Sequence, residues 1–79
     1  MSPTVFKERN YRFFFFSREE TRMHIHVLSP DGEAKFWIEP NIEYAQSVGF
    51  NEVELNKLIE IIKNHKDEIV ESWRNHFGC

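Results

Sequence analysis

The sequence predicts an α+β domain: a four-stranded, mainly antiparallel sheet followed by a long C-terminal helix, straight or kinked, packed on one face. Three observations carry this. Residues 4–38 hold β-branched and aromatic segments in alternation, divided by polar turn residues. Ser29-Pro30-Asp31-Gly32 places proline and glycine where a type I turn wants them. In the last third, apolar positions 55, 58, 59, 62, 69, 70, 73 and 77 recur at helical spacing.

Taken in order, Thr4-Val5-Phe6 and the aromatic run from Tyr11 to Phe16 form the first two strands, with Lys7-Glu8-Arg9-Asn10 as a hairpin link. Ser17-Arg18-Glu19-Glu20-Thr21 is a charged loop. Residues 23–28 alternate, so His24 and His26 share one face and Ile25 and Val27 the other. Residues 34–38 return as the fourth strand. Two arguments compete over the register of that hairpin. The commonest Pro-Asp-Gly loop carries a glycine bulge and shifts the pairing by one residue. Sorting by hydrophobicity instead puts Ile25, Val27, Ala34, Phe36 and Ile38 in the core and gathers His24, His26, Glu33, Lys35 and Trp37 opposite. The second is preferred, because burying Lys35 costs more than an uncommon loop.

Pro40 ends the strand, and residues 41–49 read as an irregular connection. The helix start is well specified. Asn51 is the N-cap, Glu54 occupies the capping-box position, and Phe50 staples onto Leu55. Gly78 is the stop. The stripe lapses at His65 and Lys66, so a kink or break near residue 64 stays open. With neither Gly nor Pro at residues 64–67, an unbroken helix over 51–77 is expected; it would run ~40 Å against strands of ~20 Å. Ile69, Val70, Trp73 and Phe77 would then overhang the sheet. That overhang predicts a homodimer, or a heterodimer, built on the C-terminal helix.

At 79 residues the chain is one domain, 1–79, of a size that buries only ~60% of its unfolded surface. Eight Phe and two Trp supply the large side chains that so small a core needs. No apolar run approaches the ~20 residues of a membrane span, and no secretory signal pattern is present. The single Cys79 excludes an internal disulfide framework and a multi-cysteine zinc site, so a cytoplasmic setting is the default. A net charge of −3 argues against a generic DNA-coating protein. Its distribution is uneven: the basic excess lies early, at Lys7, Arg9, Arg12, Arg18 and Arg22, and the second half is acidic.

His24 and His26 are the sharpest feature. Two histidines on one strand face can act as an acid/base pair, or hold a metal with a third ligand from Glu33, Glu19 or Glu20. They can equally be structural. Lys35 and Trp37 lie across the hairpin and add a phosphate partner and a stacking plane, a grouping suited to RNA. Alternation sends two rings of the four-phenylalanine run to the open face, which an uncovered sheet uses for a partner. The carboxylates at 43, 52, 60, 67, 68 and 71 read as solvated charges, His65 and His76 as surface residues, and Cys79 as a free terminal thiol.

Pro3-Thr4-Val5-Phe6, Tyr11-Arg12-Phe13-Phe14-Phe15, His24-Ile25-His26-Val27 and Gly32-Glu33-Ala34-Lys35-Phe36-Trp37, with Trp73 and Phe77, occur in an order that resembles a small bacterial family. That family is the domain of unknown function 4160. Relatives often have proline before the first histidine, where this chain has Arg22-Met23. The resemblance implies a product of a two-gene cassette, of a kind sometimes labelled a toxin–antitoxin component, and it carries no catalytic residues over. The expected function is a toxin–antitoxin-like module that acts with an adjacent-gene partner and binds or cleaves RNA. His24, His26 and Lys35 form its catalytic set, and Arg12, Trp37 and Glu33 its binding set. The alternatives are a non-enzymatic adaptor or antitoxin, and a metal-binding protein using His24 and His26. No cofactor is expected.

Overall fold

The computed structural model describes residues 4–15 and 22–78. Five strands precede two helices: β1 (Thr4–Glu8), β2 (Tyr11–Phe14), β3 (His24–Ser29), β4 (Gly32–Trp37), β5 (Glu43–Val48), α1 (Glu52–Asn64) and α2 (Lys66–Phe77). The strands form one antiparallel meander in the order β1-β2-β3-β4-β5. The expected α+β class is present, with one strand more than the sequence suggested and two helices in place of one. No helix is long and apolar enough to cross a membrane among the described residues.

The β3–β4 register follows the hydrophobic sorting. Ile25 pairs with Phe36 and Val27 with Ala34, while His24 faces Trp37 and His26 faces Lys35. Ser29 and Gly32 close a two-residue loop of Pro30 and Asp31, and the Asp31 amide donates to Ser29 Oγ at 3.1 Å. The β1–β2 link is also shorter than expected. Glu8 pairs with Tyr11, leaving Arg9 and Asn10 as the turn, with Arg9 at φ 57°.

Strand β5 corrects the irregular connection expected over residues 41–49. Gln46, Ser47 and Ala45 carry little strand preference, and Tyr44 and Val48 point their apolar bulk outward at 50% and 71% exposure. The strand exists because its backbone completes the β4 ladder, with an irregularity opposite Lys35 and Phe36. That is tertiary information, which local pattern does not contain.

The core lies between one sheet face and the helices. Phe13, Ile25, Val27 and Phe36 from the sheet are wholly buried with Leu58, Ile62 and Ile69. Asn51 caps α1 as expected, its Oδ1 accepting from the Glu54 amide at 2.8 Å. The Glu54 carboxylate turns to the Tyr11 hydroxyl at 3.5 Å. Burial, then the Glu54 charge, raises the Tyr11 pKa above its ordinary 10.0. Asn51→Ala is expected to cost about 1 kcal/mol, and Asn51→Gly only a few tenths, read from urea unfolding midpoints.

The unbroken helix expected over 51–77 is not observed. His65, at φ −113° and ψ 15°, separates α1 from α2 without glycine or proline. Its amide is shared between the Ile61 and Ile62 carbonyls at 3.2 and 3.1 Å. Its imidazole Nδ1 lies 2.9 Å from Glu68, which anchors the first turn of α2. The break brings the apolar stripe of α2 back onto its own chain, and Ile69 and Trp73 are buried there at 0% and 3% exposure. The overhang that called for a second chain on this helix is therefore absent at those two residues. Gly78 ends α2 in the left-handed conformation, its amide donating to the Arg74 carbonyl at 2.8 Å.

Candidate nucleic-acid interface

Strand alternation turns every second residue of the sheet away from the helices, and the pairing orders these residues into rows across the strands. One row runs Phe14, His26, Lys35, Gln46 from β2 to β5. The next runs Arg12, Leu28, Glu33, Val48, with Lys7 beyond Arg12 on β1. A third row, at the other end of the strands, holds His24, Trp37 and Glu43. Neighbours within a row sit about 4.8 Å apart, one strand spacing. A groove of about 440 Å³ opens over the first two rows, lined by Phe14, His26, Glu33, Lys35, Gln46 and Val48 among others. That volume falls in the range of small-ligand clefts.

By strand register the six residues expected to form the site, His24, His26, Lys35, Arg12, Trp37 and Glu33, belong to this face, although Trp73 of α2 covers its His24 end. They are not equally available. His26 is half-buried in the groove, its ring 5.5 Å from Phe14 and near-parallel to it. Lys35 sits opposite His26, with Nζ 4.4 Å from the centroid of the Trp37 ring. Arg12 lies over Phe14 at 4.8 Å, and its Nε donates to Thr4 Oγ1 at 2.7 Å. Glu33 is exposed at the rim.

His24 is different. It is completely buried, its ring within 5.1–5.6 Å of the His26, Trp37 and Trp73 rings. Nδ1 lies 2.7 Å from the Arg22 carbonyl. A carbonyl only accepts, so Nδ1 carries the proton of that contact. A ring with no exposed surface cannot meet a substrate phosphate from this position. The geometry makes His24 a support for the Trp37 end of the face and leaves His26 as the histidine a ligand reaches.

Trp37 also differs from an open stacking plane. Besides Lys35, the Arg22 guanidinium lies 4.3 Å from the ring centroid, and Arg22 is itself tied to the Glu39 carbonyl at 2.8 Å and to Glu43 at 3.3 Å. Two cations already occupy the π system, and Phe14, the aromatic ring that lines the groove, is itself 7% exposed beneath Arg12.

A metal held by His24 and His26 needs a third ligand. Among the described residues, no group of three or more His, Cys, Asp or Glu side chains is placed to hold an ion. Glu19 and Glu20, two of the three carboxylates the sequence offered, lie outside the described residues, as does Cys79. Gln46 and Val48 were invisible from the sequence because they sit on the strand it did not reveal. Phe14 was implied by the alternation of the phenylalanine run.

A family model described as a domain of unknown function (DUF4160) matches residues 10–74, most of the chain. No curated protein and no solved structure matches it.

Proposed function

The chain belongs to the DUF4160 family, and on that premise we propose a toxin–antitoxin-like module that acts with an adjacent-gene protein in the cytoplasm and binds RNA across the open face of its sheet. The observation that supports this most is the row Phe14, His26, Lys35, Gln46 beneath a groove of about 440 Å³. An imidazole, an ammonium and an amide in sequence, with the buried Phe14 ring at the end of the row, offer a proton donor, a phosphate partner and a base-edge contact. Arg12 and Lys7 extend the basic character towards β1.

Binding is favoured over cleavage. Two-histidine acid/base chemistry needs both rings at the phosphate, and His24 is enclosed. His26 alone supplies a hydrogen bond and, when protonated, a charge.

Fluorescence anisotropy with a labelled single-stranded RNA at low salt tests the reading. Wild type should bind with an affinity that falls with salt. Lys35→Ala should lower it and reduce the log–log salt slope by about 0.7, the value for one lost phosphate contact on a single strand. An affinity indifferent to Lys35→Ala and to His26→Ala, or no binding at all, would sink the RNA reading.

The second reading is a non-enzymatic adaptor or antitoxin. Its support is a set of exposed apolar side chains, Val48 on the open face, Tyr44 on the other side of β5 and Val53 at the start of α1, 50–71% exposed. RNA binding, scored beside co-purification with the adjacent-gene product, separates the two: the adaptor binds no RNA. The adaptor keeps its partner when Lys35 and His26 are both replaced, and loses it on Val48→Glu.

A further inference from the structure

His65 stands at the break between the helices and joins three elements. Its ring lies flat on Phe6 of β1, centroids 4.0 Å apart and planes 18° from parallel, and Phe6 in turn stacks on Phe13 of β2 at 4.3 Å. Nδ1 lies 2.9 Å from Glu68 Oε1 of α2, and Nε2 lies 3.2 Å from Glu8 Oε1 at the end of β1. Both ring nitrogens thus face carboxylate oxygens.

Proton counting decides what this arrangement means. A carboxylate only accepts, and a neutral imidazole carries one N–H. The neutral ring therefore points a lone pair at one of the two carboxylates, which is repulsive. Only the imidazolium donates to both. We propose that His65 is a protonation-dependent latch that fastens edge strand β1 to the helix junction, and that loss of its proton releases the Glu8 end of the strand.

The other charges around the ring do not reverse this. Lys63 in α1 is engaged by Glu60 at 3.7 Å, while Lys66 and Asp67 of α2 are adjacent opposite charges beside the same junction. Glu8 from β1 and Glu68 from α2 are the two groups in direct contact with the ring. The Glu68 hydrogen bond is the chief influence raising the His65 pKa above 6.5; partial burial opposes it and Glu8 adds to it. A group whose folded pKa is raised contributes in full below its unfolded value, and that contribution disappears as pH climbs through the folded value. The latch is closed below about pH 6.5 and opens above the raised value.

Strand β1 depends on such a fastening. It is a sheet edge, it is interrupted by a register irregularity between Thr4 and Phe6, and Thr4 holds the Arg12 side chain. The latch stands apart from the RNA reading of the open face, and its test uses no nucleic acid.

NMR on the full chain provides that test. The His65 ring protons are titrated, and amide hydrogen exchange of β1 and β3 is followed from pH 5.5 to 8.5, with rates corrected for intrinsic base catalysis. Protection of residues 6–8 should fall about three- to tenfold across the His65 titration, the equivalent of a half to one pK unit. Protection in β3 should hold. Glu8→Gln should flatten the β1 profile and move the His65 titration to lower pH. Glu68→Gln should lower the His65 pKa while leaving β1 attached through one contact. A β1 profile that is flat in wild type, or one unchanged by Glu8→Gln, overturns the proposal. The wild-type profile alone decides it should either variant fail to fold.

Discussion

Gly49→Ala should unfold at a far lower urea concentration than wild type, with a loss of about 3–4 kcal/mol. Two independent penalties act there. Gly49 has φ +90°, a conformation that side chains disfavour. An added Cβ would also stand 2.3 Å from the Asp31 carbonyl oxygen and 2.9 Å from the Gly32 Cα. Both obstacles are backbone, so no rotamer change relieves them. The β3–β4 loop and the exit of β5 pass so closely that neither chain has room for a methyl group. Gly32→Ala should lose a comparable amount through contact alone, since its Cβ would meet the Val48 carbonyl oxygen at 2.2 Å. Gly78→Ala is the control. It shares the positive φ, at +76°, but has nothing within 4 Å, so its cost should stay near 1–2 kcal/mol. Equal unfolding midpoints for Gly49→Ala and Gly78→Ala would show that the close approach carries no energy.

The second large effect belongs to Trp73. Trp73→Ala should cost about 3–5 kcal/mol, the usual range for removing a large aromatic from a packed interior. The indole is 3% exposed and touches rings from three places: Phe15 at 5.2 Å, Phe77 at 4.2 Å and His24 at 5.3 Å. Truncation empties the contact between α2 and the end of the sheet and leaves the His24 ring facing a void. For a domain of this size that is a large share of the stability available. Calorimetry and sedimentation together distinguish this role from an intermolecular one. A packing residue lowers the melting temperature at any protein concentration. A residue at a subunit interface lowers the mass of the assembly and leaves the protomer folded.

The contrast between those two outcomes comes from one misjudged position. Residues 64–67 contain neither glycine nor proline, so the sequence argued for a continuous helix and an exposed stripe. The break at His65 depends instead on a shared amide, on Glu68 and on Glu8, which is 57 residues away in the chain. A long-range partner of that kind leaves no mark in local spacing. The Asn51 cap, the Gly78 stop and the two faces of the β3–β4 hairpin were legible, because each is set by neighbours within a few residues or by a strong apolar alternation. Strand β5 was not, since its residues have no pattern of their own and pair only because β4 is there. The site shows the same division. Apolar sorting gathered His24, His26, Glu33, Lys35 and Trp37 on one side of the hairpin, in keeping with its pairing, yet it could not reveal that Trp73 and Trp37 close around His24 or that Arg22 lies over Trp37.

The meander has a consequence for how the chain comes into being. Every strand pairs with its neighbours in sequence, and two of the links are two-residue turns, so the sheet closes only short loops as it forms. Local pairing of this kind folds quickly for a β structure. During synthesis the strands leave the ribosome first, and β5, ending at Val48, emerges ahead of either helix. For that interval the face carrying Phe13, Ile25, Val27 and Phe36 has no cover, because Leu58, Ile62 and Ile69 all come later. A nascent sheet with one bare apolar face is the form in which this protein is most open to aggregation, and to capture by a chaperone. A chain cut after Val48, which keeps the five strands and lacks both helices, should aggregate or stay bound to a chaperone, whereas the full chain should not.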